Sequence, residues 1–282
     1  QDVWVCVILA IFYIILLSLP LLIIINKFQG CSAVEIFNMI FGKIISKFFL
    51  CIWLLFFLAC HIACLVMMII FIKVYVMPSS PEWGIMLFLI IPAAYGIYKG
   101  AGVIGRLSMF IVPLIIFSVL IFFVFSIPDM KFDLIKPIFA DSSLVDINFG
   151  GMLMAARYSE IVIFFIFSYY VSRKTKLYKS FFIGIAIFGV SFFLILLPVL
   201  LILGSSVAKL QWNPYYVFSR QIEAYDFLRR MHSINLLVWV PMSILKLMIF
   251  NYMFGHILKG IFKTKTHRYF SLTSLIIGSV VA

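Results

Sequence analysis

Apolar runs of about twenty residues or more recur from one end of the chain to the other, separated by short polar connections. They lack the strict alternation and even turn spacing of a membrane barrel. Runs of this length suit α-helices, because a rise of 1.5 Å per residue carries about twenty residues through a hydrocarbon core of ~30 Å. The pattern predicts spans over residues 3–25, 48–76, 84–97, 107–127, 152–171, 181–203 and 234–258, with an eighth begun at residue 270. The expected architecture is an all-α polytopic membrane protein, a single transmembrane domain over residues 1–282 with about seven full spans and a partial eighth. Both ends read as cut. Residues 270–282 are too few to cross, and the first span opens immediately after Gln1 and Asp2, with no charged region or cleavage site of a signal peptide.

Two connections carry a pattern of their own. In SAVEIFNMIFGKIISK, Ser32 and Glu35 stand at capping-box spacing and Ile36, Ile40 and Ile44 repeat on one face. This predicts a helix lying along the cytoplasmic membrane surface, or else the first turns of the next span, with Gly42 and Lys43 as the separation. In QWNPYYVFSRQIEAYDFLRR, Asn213 is placed to cap a helix that has Pro214 at its first position, and Trp212, Tyr215 and Tyr216 suit an interface. A second surface helix is expected there, on the outer side.

Composition narrows the class further. With 65% of residues hydrophobic and only 11% charged, a soluble domain would have no polar surface to present to water. The net charge of +12 raises the question of nucleic acid, but the basic residues are scattered between apolar runs and form no aromatic-laced stripe. They read as topology determinants. Thirteen Lys and Arg, from Lys27, Lys43 and Lys47 to Lys263, Lys265 and Arg268, fall on one side of the alternating connections, against seven on the other. The first side is therefore expected to be cytoplasmic. Cys6, Cys51, Cys60 and Cys64 lie in apolar runs and Cys31 in a connection, none at ligand spacing, so no disulfide, metal or cofactor is expected. The chain has no GxSxG, HExxH, Walker loop or paired intramembrane Asp, and its four histidines do not cluster, which argues against an enzyme.

Candidate chemistry lies in the ionisable and polar residues inside the spans. In AARYSEIVIFFIFSYY, Glu160 falls near mid-span and Arg157 about one turn nearer the outside; Lys246 also falls near mid-span. Ions at this depth are costly and occur paired or at functional sites, so Glu160 is expected to pair with Lys246 or Arg157, as a structural pair or as part of a charge path or gate. Ala155, Ala156, Tyr158 and Ser159 make the outer half of the same span small and polar. Such a stretch marks either an interrupted helix facing a cavity or close packing on a neighbour. Phe57 and His61 lie one turn apart on one face, and His61 reads as a packing residue or a ligand contact. Phe57, His61, Tyr158, Ser159 and Glu160 are the candidate ligand-binding residues.

The blocks QDVWVCVIL, NKFQGCSAVEIFNMIFGKIISK, IYKGAGVIGRLSMFIVPL, KFDLIKPIF, SEIVIFFIFSYYV and NPYYVFSRQIEAYDFLRRMHSINLLVWVPMSILK, in this order and spacing, resemble the successive blocks of spore germination receptor B subunits, the spore permease family. The similarity covers nearly the whole chain. Gln29 stands where the family usually has Pro, and His232 where an acidic residue usually follows. The resemblance implies an inverted-repeat bundle like that of amino acid–polyamine–organocation transporters, here truncated at both ends: the broken first helix and the C-terminal spans are missing. It also implies a multi-pass protein of the bacterial endospore inner membrane that acts with receptor A and C subunits, recognises a small germinant such as an amino acid, and triggers ion release. A secondary amino acid transporter of the same fold and a non-transporting assembly scaffold are the alternatives.

Overall fold

The computed structural model describes residues 2–135, 143–171, 176–221 and 232–282. Within these residues the chain is helical, in the order α1 Val3–Lys27, α2 Ala33–Tyr75, α3 Glu82–Lys99, α4 Ala101–Ser126, α5 Leu144–Arg157, α6 Val162–Phe167, α7 Leu177–Ala208, α8 Pro214–Gln221, α9 His232–Phe262 and α10 Arg268–Val281. Among the described residues, five helices are long and apolar enough to cross a membrane, and a bent pair, Leu144–Arg157 with Ser159–Tyr170, would make a sixth. The span expected at 84–97 lies in α3, which is not among the five. Pro92, Tyr95, Gly96 and Tyr98 dilute its apolar character over only 18 residues. The partial eighth span is α10, 14 residues long and short of a crossing. Lys136, Asp141, Arg173, Lys174, Arg229, Arg230 and the far half of the expected outer helix lie outside the described residues.

Local signals in the sequence account for the helix boundaries. Ser32 Oγ accepts from the Glu35 amide at 3.3 Å and the Glu35 carboxylate accepts from the Ser32 amide at 2.6 Å, a complete capping box at the start of α2. That helix is interrupted at Gly42, with φ 74° and ψ 171°, a backbone conformation only glycine takes without strain, so the short helix before it is a separate element from the long span after it. At the start of α8, Asn213 Oδ1 accepts from the Tyr216 amide at 3.1 Å, as the Asn-Pro pair predicts.

The contacts gather into two compact units, each discontinuous in sequence: residues 1–29 with 114–236, and residues 30–113 with 237–282. In the first, α5 packs along α1. A Cβ on Gly150 would lie 2.9 Å from Cys6 Sγ and one on Gly151 2.8 Å from Leu9 Cβ, so the missing side chains are what bring the two helices together. Cys6 Sγ donates to the Ile147 carbonyl at 3.4 Å, and Tyr13 donates to Asn148. Ala10, Ile14, Leu22, Ala155, Phe181 and Ile185 form the buried core where α1, α5 and α7 meet.

In the second unit, α10 packs on α2 and α3. Arg268 lies 4.6 Å from the Tyr98 ring centroid, and Lys73 pairs with Glu82 at 2.7 Å between the end of α2 and the start of α3. That last pair is largely exposed and contributes little to stability.

Candidate functional site

The break in the Glu160 span is the feature from which a site can be built. Ser143 and Asp146 form a capping box that starts α5, with both amide bonds at 3.2 Å. The helix then runs to Arg157 and stops at Tyr158, where φ is −100° and ψ 15°. Ser159–Ile161 follow as a 3₁₀ turn, α6 as a six-residue α-helix, and Ser168–Tyr170 as another 3₁₀ turn, with an overall bend of 41°. Neither proline nor glycine occurs between residues 152 and 171, so the interruption comes from this tightening of the backbone and not from a missing donor. Packing holds it: the Tyr158 ring meets Phe188 edge-on at 4.3 Å and Phe192 at 5.7 Å, both on α7. These T-shaped contacts keep the residue at the break turned toward α7.

A cavity of about 270 Å³ opens beside the break. Ile14 of α1 forms one wall; Tyr158, Glu160, Ile161 and Phe164 form a second; Ser180, Phe181, Gly184, Ile185 and Phe188 of α7 form the third. Its lining is overwhelmingly apolar and aromatic, and Glu160, Tyr158 and Ser180 are the lining residues that carry a polar side-chain group. An acidic group among aromatic faces in a low-dielectric setting attracts a cation, by charge and by the negative ring faces together. The volume suits a small molecule, just below the usual range for drug-sized ligands.

The sequence-predicted residues are divided between the two units. Tyr158 and Glu160 share this cavity, whereas Ser159 and Arg157, beside them in sequence, are exposed and do not line it. Lys246 belongs to α9 in the second unit, where its Nζ lies 5.8 Å from the Phe250 ring centroid. Phe57 and His61 are also in the second unit and wholly buried, packed between helices. His61 Nδ1 is 2.7 Å from Asn251 Nδ2, and Asn251 Oδ1 accepts from Ser274 Oγ at 2.8 Å. The imidazole stacks against bare backbone: a Cβ on Gly278 would fall 2.2 Å from His61 Cδ2.

Sequence reasoning missed the α7 wall, and it missed Asn251, Ser274 and Gly278. Asn251 had a visible signal, an amide inside an apolar run. The spacing of Ser271, Ser274 and Gly278 also had one, since it puts small and polar groups on one buried face of α10.

A family model described as spore germination protein matches the chain over residues 1–282. Comparison with curated proteins and with solved structures gives no match. Repeated membrane-length helices, a broken span beside a small cavity and a family match from the first residue to the last agree on one conclusion: this multi-pass membrane protein belongs to the spore permease family of spore germination proteins, a permease-like and not an enzymatic family.

Proposed function

We propose that, within this germination-related, permease-like family, the chain is the B subunit of a nutrient germinant receptor, recognising a small germinant such as an amino acid and coupling its binding to ion release. The observation that supports this reading is the cavity at the helix break, where Glu160 stands among Ile14, Phe164, Phe181 and Phe188. A compact molecule with an ammonium group and an apolar body fits that chemistry: the carboxylate takes the charge and the rings take the body. Coupling follows if the ligand spans the break and α7, because it then binds more tightly to the arrangement that holds these two walls at one spacing. The proposal includes assembly with receptor A and C subunits in the inner membrane of the endospore.

The test uses the full-length protein in liposomes, with radiolabelled amino acids as probes. Saturable binding without uptake is expected. Robust counterflow of an amino acid would instead make the chain a secondary transporter. Glu160→Gln keeps the shape and removes the charge, so it should weaken binding by about 10- to 100-fold, the loss of one charge-assisted hydrogen bond. Spores carrying the variant at normal receptor levels should need correspondingly more germinant, and an unchanged dose response would remove Glu160 from the site.

A further inference from the structure

We infer that Gly184 is the residue that sets which ligands the cavity admits; the inference rests on the reading of that cavity as the germinant site. Gly184 sits inside α7, one turn from Ser180 and one from Phe188, and all three line the cavity. It is exposed, while its neighbours Phe181 and Ile185 are buried. Glycine inside a helix is unfavourable relative to alanine and needs a reason. Backbone conformation supplies none, since Gly184 is not among the glycines with positive φ. Packing supplies none either. A Cβ built at Gly184 meets no atom within 4 Å, in contrast to Gly189 on the same helix, where it would fall 2.7 Å from Ile11 Cδ1. Gly184 lines the cavity and its side-chain position is open, so a side chain at 184 would extend into unfilled space beside that lining.

Gly184 therefore acts as an aperture. A methyl group there narrows the opening, and a branched side chain obstructs it. Because Glu160 lines the cavity from a different element, bulk at 184 should discriminate by the size of the ligand's apolar part while leaving the attraction for its charge in place.

The experiment measures binding of glycine, alanine, valine, leucine and phenylalanine to the full-length protein in liposomes, with Gly184 as the wild type and as Gly184→Ala, Gly184→Val and Gly184→Leu. The half-saturation concentration should rise with the size of residue 184 and rise most for the largest ligands. For Gly184→Leu we expect more than about tenfold for the largest amino acid that the wild type binds, and less than about threefold for the smallest. Unfolding midpoints in detergent report folding separately, and Gly184→Ala should match or exceed the wild type because its methyl group meets nothing. Equal shifts for all ligands, or none, while Glu160→Gln weakens binding would overturn the aperture and leave the cavity as the site. Wild-type protein that binds none of the series, or binding that neither Glu160 nor Gly184 variants alter, would remove the site and the aperture together.

Discussion

Asn251→Leu should lower the unfolding midpoint of the full-length protein in detergent more than His61→Leu does, although both delete the same interhelical contact. The Asn251 amide nitrogen donates to the Leu247 carbonyl at 2.8 Å and lies 2.7 Å from His61 Nδ1, and its oxygen accepts from Ser274 at 2.8 Å. With both amide hydrogens committed, His61 Nδ1 is the acceptor and the ring proton sits on Nε2. That Nε2 is buried with no hydrogen-bond partner among the described residues.

Removing His61 costs one interhelical bond, about 0.6 kcal/mol on average between membrane helices, and leaves one Asn251 amide hydrogen without its acceptor, but it also takes the unpartnered Nε2 out of the interior. Removing Asn251 leaves His61 Nδ1 without its donor and the whole imidazole unsatisfied, at about 1–3 kcal/mol for a buried group left unpaired, and takes away the interhelical partner of Ser274, whose hydroxyl keeps its bond to the Ser271 carbonyl at 2.8 Å. The double variant His61→Leu, Asn251→Leu should therefore be less damaged than the sum of the singles, by about 1 kcal/mol. Simple additivity would show that the imidazole and the amide are not coupled.

Gly255→Ala is the second change expected to have a large effect, from a single methyl group. A Cβ at Gly255 would lie 1.9 Å from Ser271 Oγ, and 2.8 Å from both the His267 carbonyl oxygen and the Ser271 amide nitrogen. The hydroxyl can rotate away, but the two backbone atoms belong to the N-cap and the first turn of α10 and move only if the start of that helix lifts off α9. Overpacking of this kind costs typically about 1–3 kcal/mol. Gly105→Ala in α4 is the matched control, because its Cβ would meet no atom within 4 Å and alanine is the better helix former. Denaturation of both variants in mixed micelles measures the difference. Gly255→Ala as stable as Gly105→Ala would mean that α10 does not rest on α9 through this glycine.

Features that depend on neighbouring residues were legible in the sequence. Ser32 with Glu35, Gly42, and Asn213 with Pro214 each name a local backbone event, and each event is found. The small and polar residues Ala155, Ala156, Tyr158 and Ser159 left an interruption and close packing open as readings, and the structure has a break at Tyr158 with Ala155 packed in the core. What stayed hidden is which helix faces which. Helices such as α1 and α7 are apolar on every side, and an all-round apolar helix has no stripe that says which side meets protein and which meets lipid. Hence Tyr158 could be placed at a break but not against Phe188, and Asn251 could be seen in its run but not beside His61. Gly184 carried no mark at all: an unfilled space leaves no residue to read.

The packing of α1 on α5 also has a consequence in time. The bonds that join them, Cys6 to Ile147 and Tyr13 to Asn148, close over 141 and 135 positions of chain. At ~5–20 residues per second of synthesis, roughly 7–30 s pass between the emergence of the two partners. During that interval Cys6, Ala10 and Ile14, all buried in the finished unit, are without the α5 surface that helps to cover them. Birth order thus makes α1 a waiting helix. Its assembly is slow for a topological reason, loop closure over a long separation, and the glycine pair on α5 is the surface whose late arrival ends the wait.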